Sequence, residues 1–172
     1  MKAILLKYGY WLLPIAWMGI IYYSSATPYQ EQNMKPFLSN TFDLSFLTPW
    51  FDWINFTYHH SEVSVAVLGI EGFIEFFVRK GAHVGVFFVL MCLFYLALHK
   101  MGMTRLWKKS AIGFVLTVAY AGLDEFHQSF TANRTPYFGD VILDSFGALL
   151  AVICLTVFQR WAVTKQNRNR KL

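Results

Sequence analysis

The sequence predicts an all-α membrane protein, a four-transmembrane-helix bundle with both termini cytoplasmic and a long outer loop between helices 1 and 2. Three observations predict it. The chain of 172 residues is 56% hydrophobic and only 15% charged, too apolar for a water-soluble domain of that size. Four apolar runs approach the roughly 20 residues needed to cross a bilayer. Basic and acidic residues fall at opposite ends of those runs. The length allows a single domain over 1–172.

The first span, about 8–24, follows Lys2 and Lys7. A basic start and an apolar stretch also fit a signal peptide cut at Ser24-Ser25-Ala26, but Pro28 just beyond the cut argues for a retained helix. The outer loop, 25–78, contains Thr48-Pro49-Trp50-Phe51-Asp52-Trp53, whose rings suit the headgroup level of a bilayer. Asn55 to Tyr58 and Val63 to Val67 are β-type residues around His59-His60-Ser61-Glu62, which predicts a short hairpin. The histidine pair reads as a solvated turn rather than a metal site.

The second span, 79–98, is bounded by Arg79-Lys80 and His99-Lys100. The third, 109–130, is cleanly apolar only from Ser110 to Leu123. It crosses only if the helix continues through Asp124-Glu125-Phe126-His127-Gln128 toward Phe130, which places carboxylates and a histidine in the outer third of the membrane. The fourth, 140–159, ends at Arg160. Cys92 and Cys154 lie inside apolar runs and read as packing residues without a disulfide or metal.

Orientation follows from the positive-inside rule. Lys2, Lys7, Lys100, Arg105, Lys108, Lys109 and the 160–171 basic residues fall on one side, with none of the ten acidic residues. The other side carries Lys35, Arg79, Lys80 and Arg134 with every Asp and Glu. The net charge of +5 is thus a topology and anionic-lipid signal, and no nucleic-acid partner is expected.

Counting from each basic boundary at about 1.5 Å per residue puts Asp124 about 22 Å from Lys109, Asp144 about 24 Å from Arg160 and His83 about 25 Å from Lys100. These side chains therefore share one depth near the outer edge of the hydrocarbon. Glu75, Arg79 and His83 follow at i, i+4, i+8, a charged stripe if the helix starts before the membrane. Asp124, His127 and Gln128 share a face, and Asp140 and Asp144 share another that continues as Gly147, Ala148 and Ala151. Small residues there allow close approach of a neighbouring helix, and Gly81 with Gly85 offers a second such face.

Ionisable groups in lipid cost about 2.5–3.5 kcal/mol each on insertion scales, so they are functional candidates by default. A purely structural account pairs Arg79, Lys80 and Arg134 with Glu75, Asp124, Glu125, Asp140 and Asp144. The convergence of His, Gln, Arg and several carboxylates favours a site instead. Its binding candidates are Arg79, Lys80, His83, Asp124, Glu125, His127, Gln128, Arg134, Asp140 and Asp144.

At these residues the chain resembles the VanZ-like family of bacterial membrane proteins. The matching pieces are Tyr22-Tyr23-Ser24-Ser25, Arg79-Lys80-Gly81-Ala82-His83 and Asp124-Glu125-Phe126-His127-Gln128-Ser129-Phe130, followed by Arg134, Asp140, Asp144 and Gly147. The family takes its name from an accessory protein associated with low-level teicoplanin resistance, so the resemblance implies an envelope-facing role in the bacterial cytoplasmic membrane. It supplies no mechanism.

Two readings follow. In the first, the outer site binds a membrane lipid, a lipid-linked wall precursor or a lipoglycopeptide, with Arg79, Lys80 and Arg134 toward phosphate or carboxylate and His127 and Gln128 toward sugar or amide groups. In the second, an intramembrane enzyme acts on a lipid-linked substrate. There Asp124 or Glu125 with His127 supplies acid and base, Asp140 and Asp144 hold a divalent cation, His83 is a further base or ligand, and Ser24-Ser25 offers a nucleophile. No glycine-rich phosphate loop is present, so no soluble cofactor is expected.

Overall fold

The computed structural model describes residues 7–28, 32–131 and 136–169. Among them the helices are α1 (Leu12–Ala26), α2 (Lys35–Thr41), α3 (Thr48–Phe51), α4 (Val65–Lys100), α5 (Leu106–Gln128) and α6 (Phe138–Asn169). The strands β1 (Asn55–Tyr58) and β2 (Ser61–Ser64) form an antiparallel hairpin. Two helices, Val65–Lys100 and Phe138–Gln166, are long and apolar enough to cross a membrane.

Each boundary has a local cause. Pro14 cannot donate a backbone hydrogen bond, and α1 accordingly starts only at Leu12. The hairpin turns on His59 and His60 alone, both at positive φ (46° and 61°), the geometry that joins twisted strands through two residues. The turn is therefore tighter than the four polar residues suggest, and the second strand stops at Ser64 because that residue caps α4, its hydroxyl accepting from the Val67 amide at 3.3 Å. Gly69 then takes φ 71° and ψ 165°, a region open to glycine alone, and kinks the chain into the main body of α4.

This helix begins well before the apolar run at 79, so much of the expected 25–78 loop is helical. Glu71, Glu75 and Arg79 make the segment too polar to read as a span. It is still a good helix, and Arg79 Nη2 meets Glu75 Oε1 at 2.8 Å across one turn. Of the aromatic stretch, Phe51 packs inward beside Val63, Ile70 and Phe73, whereas Trp50 and Trp53 are 72% and 79% exposed.

Helix α4 is the axis around which α1, α5 and α6 pack. On one side Ile21, Phe87, Leu90, Phe94 and Ala121 form a core. On the other, Met91 and Tyr95 lie against Ala148 and Ala151. The small-residue face of α6 does what its composition predicts: a Cβ at Gly147 would lie 2.3 Å from the Val84 carbonyl oxygen, so the α4 and α6 backbones touch there. Gly81 and Gly85 play no such part, because a Cβ at either would meet nothing within 4 Å. The outward faces carry Ile15, Ile20, Val115, Ile142, Ile153 and Val157, all exposed. An apolar surface that continuous suits lipid rather than water.

Candidate functional site

The polar layer is assembled by four helices. From α4, Glu75 is buried, accepts from Arg79 and lies 3.4 Å from the Met34 amide. Arg79 also reaches Gln32, donating to its backbone oxygen at 3.2 Å and its side-chain oxygen at 3.4 Å. Gln32 in turn donates to the Ser24 carbonyl at 2.7 Å, tying α4 to the end of α1. One residue on, Lys80 Nζ sits 2.5 Å from Asp140 Oδ1 and 4.5 Å from the centre of the Tyr58 ring. Tyr58 donates its hydroxyl to the same carboxylate oxygen, so the hairpin is latched to α4 and α6 at one point. Burial first, then the neighbouring Asp140, holds the Tyr58 phenol well above its usual pKa.

Deeper, His83 Nδ1 faces Asp144 Oδ1 at 3.3 Å, a close contact without hydrogen-bond alignment. Asp144 is only 2% exposed, and the Gly147 contact with Val84 is what holds its helix this close. From α5, Asp124 Oδ2 accepts from Ser25 Oγ at 2.9 Å and from Gln128 Nε2 at 2.8 Å. The continuation of α5 past Leu123 is therefore secured inside the bundle, where Asp124 is 3% exposed and its Oδ1 has no partner among the described residues. Glu125 turns the other way and accepts from the Tyr137 amide, which fixes the start of the α6 approach.

A half-open cavity of about 170 Å³ lies between α1 and α4 at this level. Ile20, Ile21, Ala82, Val86 and Phe87 form its apolar wall, and Ser24, Ser25, Gln32, Arg79 and His83 form its polar end. Two of those polar groups are each backed by a buried carboxylate, Ser25 by Asp124 and His83 by Asp144.

The expected residues thus divide. Arg79 and His83 line the cavity; Asp124, Asp144 and Gln128 stand directly behind it. Lys80, Asp140 and Glu125 belong to the hairpin and loop contacts. His127 lies outside the cavity lining, its ring stacked on Tyr22 with centroids 4.0 Å apart. Its position 60° round the helix from Asp124 explains this. Asp140 and Asp144 face different basic side chains, Lys80 and His83, and among the described residues no group of three or more His, Cys, Asp or Glu could hold a metal ion. Arg134 lies outside the described residues.

Sequence reasoning gave Gln32 no role and placed Tyr58 only as a residue of the hairpin, since a contact 82 residues away leaves no local pattern. Ser25 was legible as one of two hydroxyls at the end of a span, at the depth of the carboxylates, that offer a nucleophile.

A sequence model of a single family matches residues 10–159, most of the chain. No curated protein and no solved structure matches.

Proposed function

The chain belongs to the VanZ/LLP1 family, and from that premise we propose that it is a four-span bacterial envelope protein that binds an amphiphile at its outward end. The observation that carries the reading is the α1–α4 cavity, polar at one end and apolar along its wall. An acyl or prenyl chain suits Ile20, Ile21, Val86 and Phe87; its head group suits Ser24, Gln32, Arg79 and His83. At about 170 Å³ the cavity is smaller than the 300–1,000 Å³ typical of sites that enclose a drug-sized ligand. It therefore grips part of a molecule whose remainder lies in the bilayer or outside it. That fits a lipid, a lipid-linked wall precursor or the acyl tail of a lipoglycopeptide, and family membership is consistent with an envelope protein associated with teicoplanin resistance.

Charge placement supports outward exposure of this end. Lys100 lies over the Tyr10 ring at 5.2 Å and Lys109 over the Tyr95 ring at 4.7 Å, both at the opposite end of the bundle, where sequence places no acidic residue. On this reading α1 and α5 are spans beside the two longer helices.

Ala82 is an exposed member of the cavity wall, so a larger side chain there fills the cavity without entering the core. In the full chain in nanodiscs, titrated with a single-chain phospholipid bearing an environment-sensitive fluorophore, Ala82→Trp is expected to weaken binding about tenfold or more, equivalent to about 1.4 kcal/mol. Equal affinity in the two proteins refutes the assignment of the cavity.

A further inference from the structure

We propose that the cavity is also a hydrolytic site for a neutral carboxylic ester of a membrane amphiphile, with Ser25 as nucleophile; this rests on the cavity's binding an amphiphile. The juxtaposition that carries it is two carboxylate-backed groups facing one space. Ser25 Oγ already donates to Asp124 Oδ2 at 2.9 Å, a nucleophile with a base in place. His83 lines the same cavity with Asp144 Oδ1 3.3 Å from its Nδ1, and we assign its other nitrogen, Nε2, to proton transfer there. Asp124 is buried and its Oδ1 has no hydrogen-bond partner among the described residues, so the carboxylate keeps an unused acceptor beside the serine.

The step balances. Asp124 accepts the Ser25 proton as Oγ bonds to the ester carbonyl carbon. The tetrahedral adduct then expels the alcohol oxygen, which takes a proton from the His83 imidazolium and leaves acyl-Ser25. Water gives a proton to His83 and adds to the acyl carbon. Ser25 Oγ departs with the proton held by Asp124. Ester and water become acid and alcohol, and all three side chains return to their starting states.

Ester chemistry fits better than phosphoryl transfer. Arg79 is already matched to Glu75, and Lys80 to Asp140, while Asp124 and Asp144 stand behind the cavity and would repel a dianionic phosphoryl group. Nothing comparable joins His127 to the cavity, so the acid–base role falls to His83.

The test uses the full chain in detergent micelles with a long-chain alkyl fluorophosphonate, then peptide mass mapping, alongside hydrolysis of a fluorogenic long-chain ester. The expected result is a phosphonate adduct on Ser25 of the wild-type chain. Asp124→Asn should slow adduct formation about 100-fold or more, the usual contribution of a positioned base. His83→Gln should lose ester turnover, because the alcohol is no longer protonated as it leaves, while the fluorophosphonate adduct, which forms with loss of fluoride, persists. Binding of the fluorescent phospholipid is measured on the same samples. Intact binding with no adduct on Ser25 overturns the chemistry and leaves the binding reading standing; absent binding overturns both. Because the adduct is mapped in the wild-type chain, the result does not depend on any variant folding.

Discussion

Replacing Gly147 with alanine is expected to lower the thermal midpoint of the purified protein sharply, and leucine there to prevent folding. The added Cβ would stand 2.3 Å from the Val84 oxygen and 3.0 Å from Val84 C and Cα. These are backbone atoms in the middle of a long helix, so no rotamer change relieves the clash. Carbon atoms prefer separations of about 3.5–4.0 Å, so α6 must retreat from α4 by about an ångström. Overpacking of this kind costs about 1–3 kcal/mol for a small group, more for leucine. The retreat also separates His83 from Asp144, since both sit within one turn of the contact. A midpoint for Gly147→Ala equal to wild type by scanning calorimetry in detergent contradicts this packing account.

The second large effect is expected at the hairpin latch. Lys80→Met removes the cation that Asp140 and Tyr58 share and leaves a mostly buried carboxylate with a phenol alone. Breaking a fully buried pair costs about 3–5 kcal/mol. Lys80 and Asp140 are 18% and 17% exposed, so water softens the loss to the lower part of that range or below. Hydrogen exchange over residues 55–64 should accelerate in Lys80→Met while the α4–α6 contact stays protected. Tyr58 adds a pH dependence of definite sign. Its pKa is raised in the folded chain, so its contribution is complete below the unfolded value of about 10 and is lost as pH rises further. The hairpin should therefore loosen in alkali, and Tyr58→Phe should remove that part of the pH dependence. Uniform exchange at all pH values in both variants would show that the latch holds nothing.

Much of the site was legible in the sequence because depth along a helix is simple arithmetic. Asp124, Asp144 and His83 count to one level, and Asp124 behind Ser25 and Asp144 behind His83 back two groups that line one cavity. The face of Asp144, Gly147, Ala148 and Ala151 was legible because only small residues permit close backbones. Glycine spacing alone could not tell which pair would be used: Gly81 and Gly85 have the same spacing and meet open space. The early start of α4 was hidden for a physical reason. Apolarity reports contact with lipid, whereas the 65–78 segment packs Ile70 and Phe73 against Val63 of the hairpin, and its Glu75 meets Arg79 across one turn. His127 shares a helical face with Asp124 in projection, yet sits at its rim and goes to Tyr22. Tyr58, at the end of β1, and Gln32, before α2, act across more than forty residues of sequence, and no periodicity encodes such contacts.

The central claim is an outward-facing cavity that takes an amphiphile, and Ser24 is its exposed polar rim. A Ser24→Cys variant in a background with Cys92→Ala and Cys154→Ala can be treated in intact cells with a membrane-impermeant maleimide. The account predicts labelling from outside, suppressed by prior addition of a long-chain amphiphile. Labelling only after permeabilisation, or labelling that the amphiphile leaves unchanged, would contradict it.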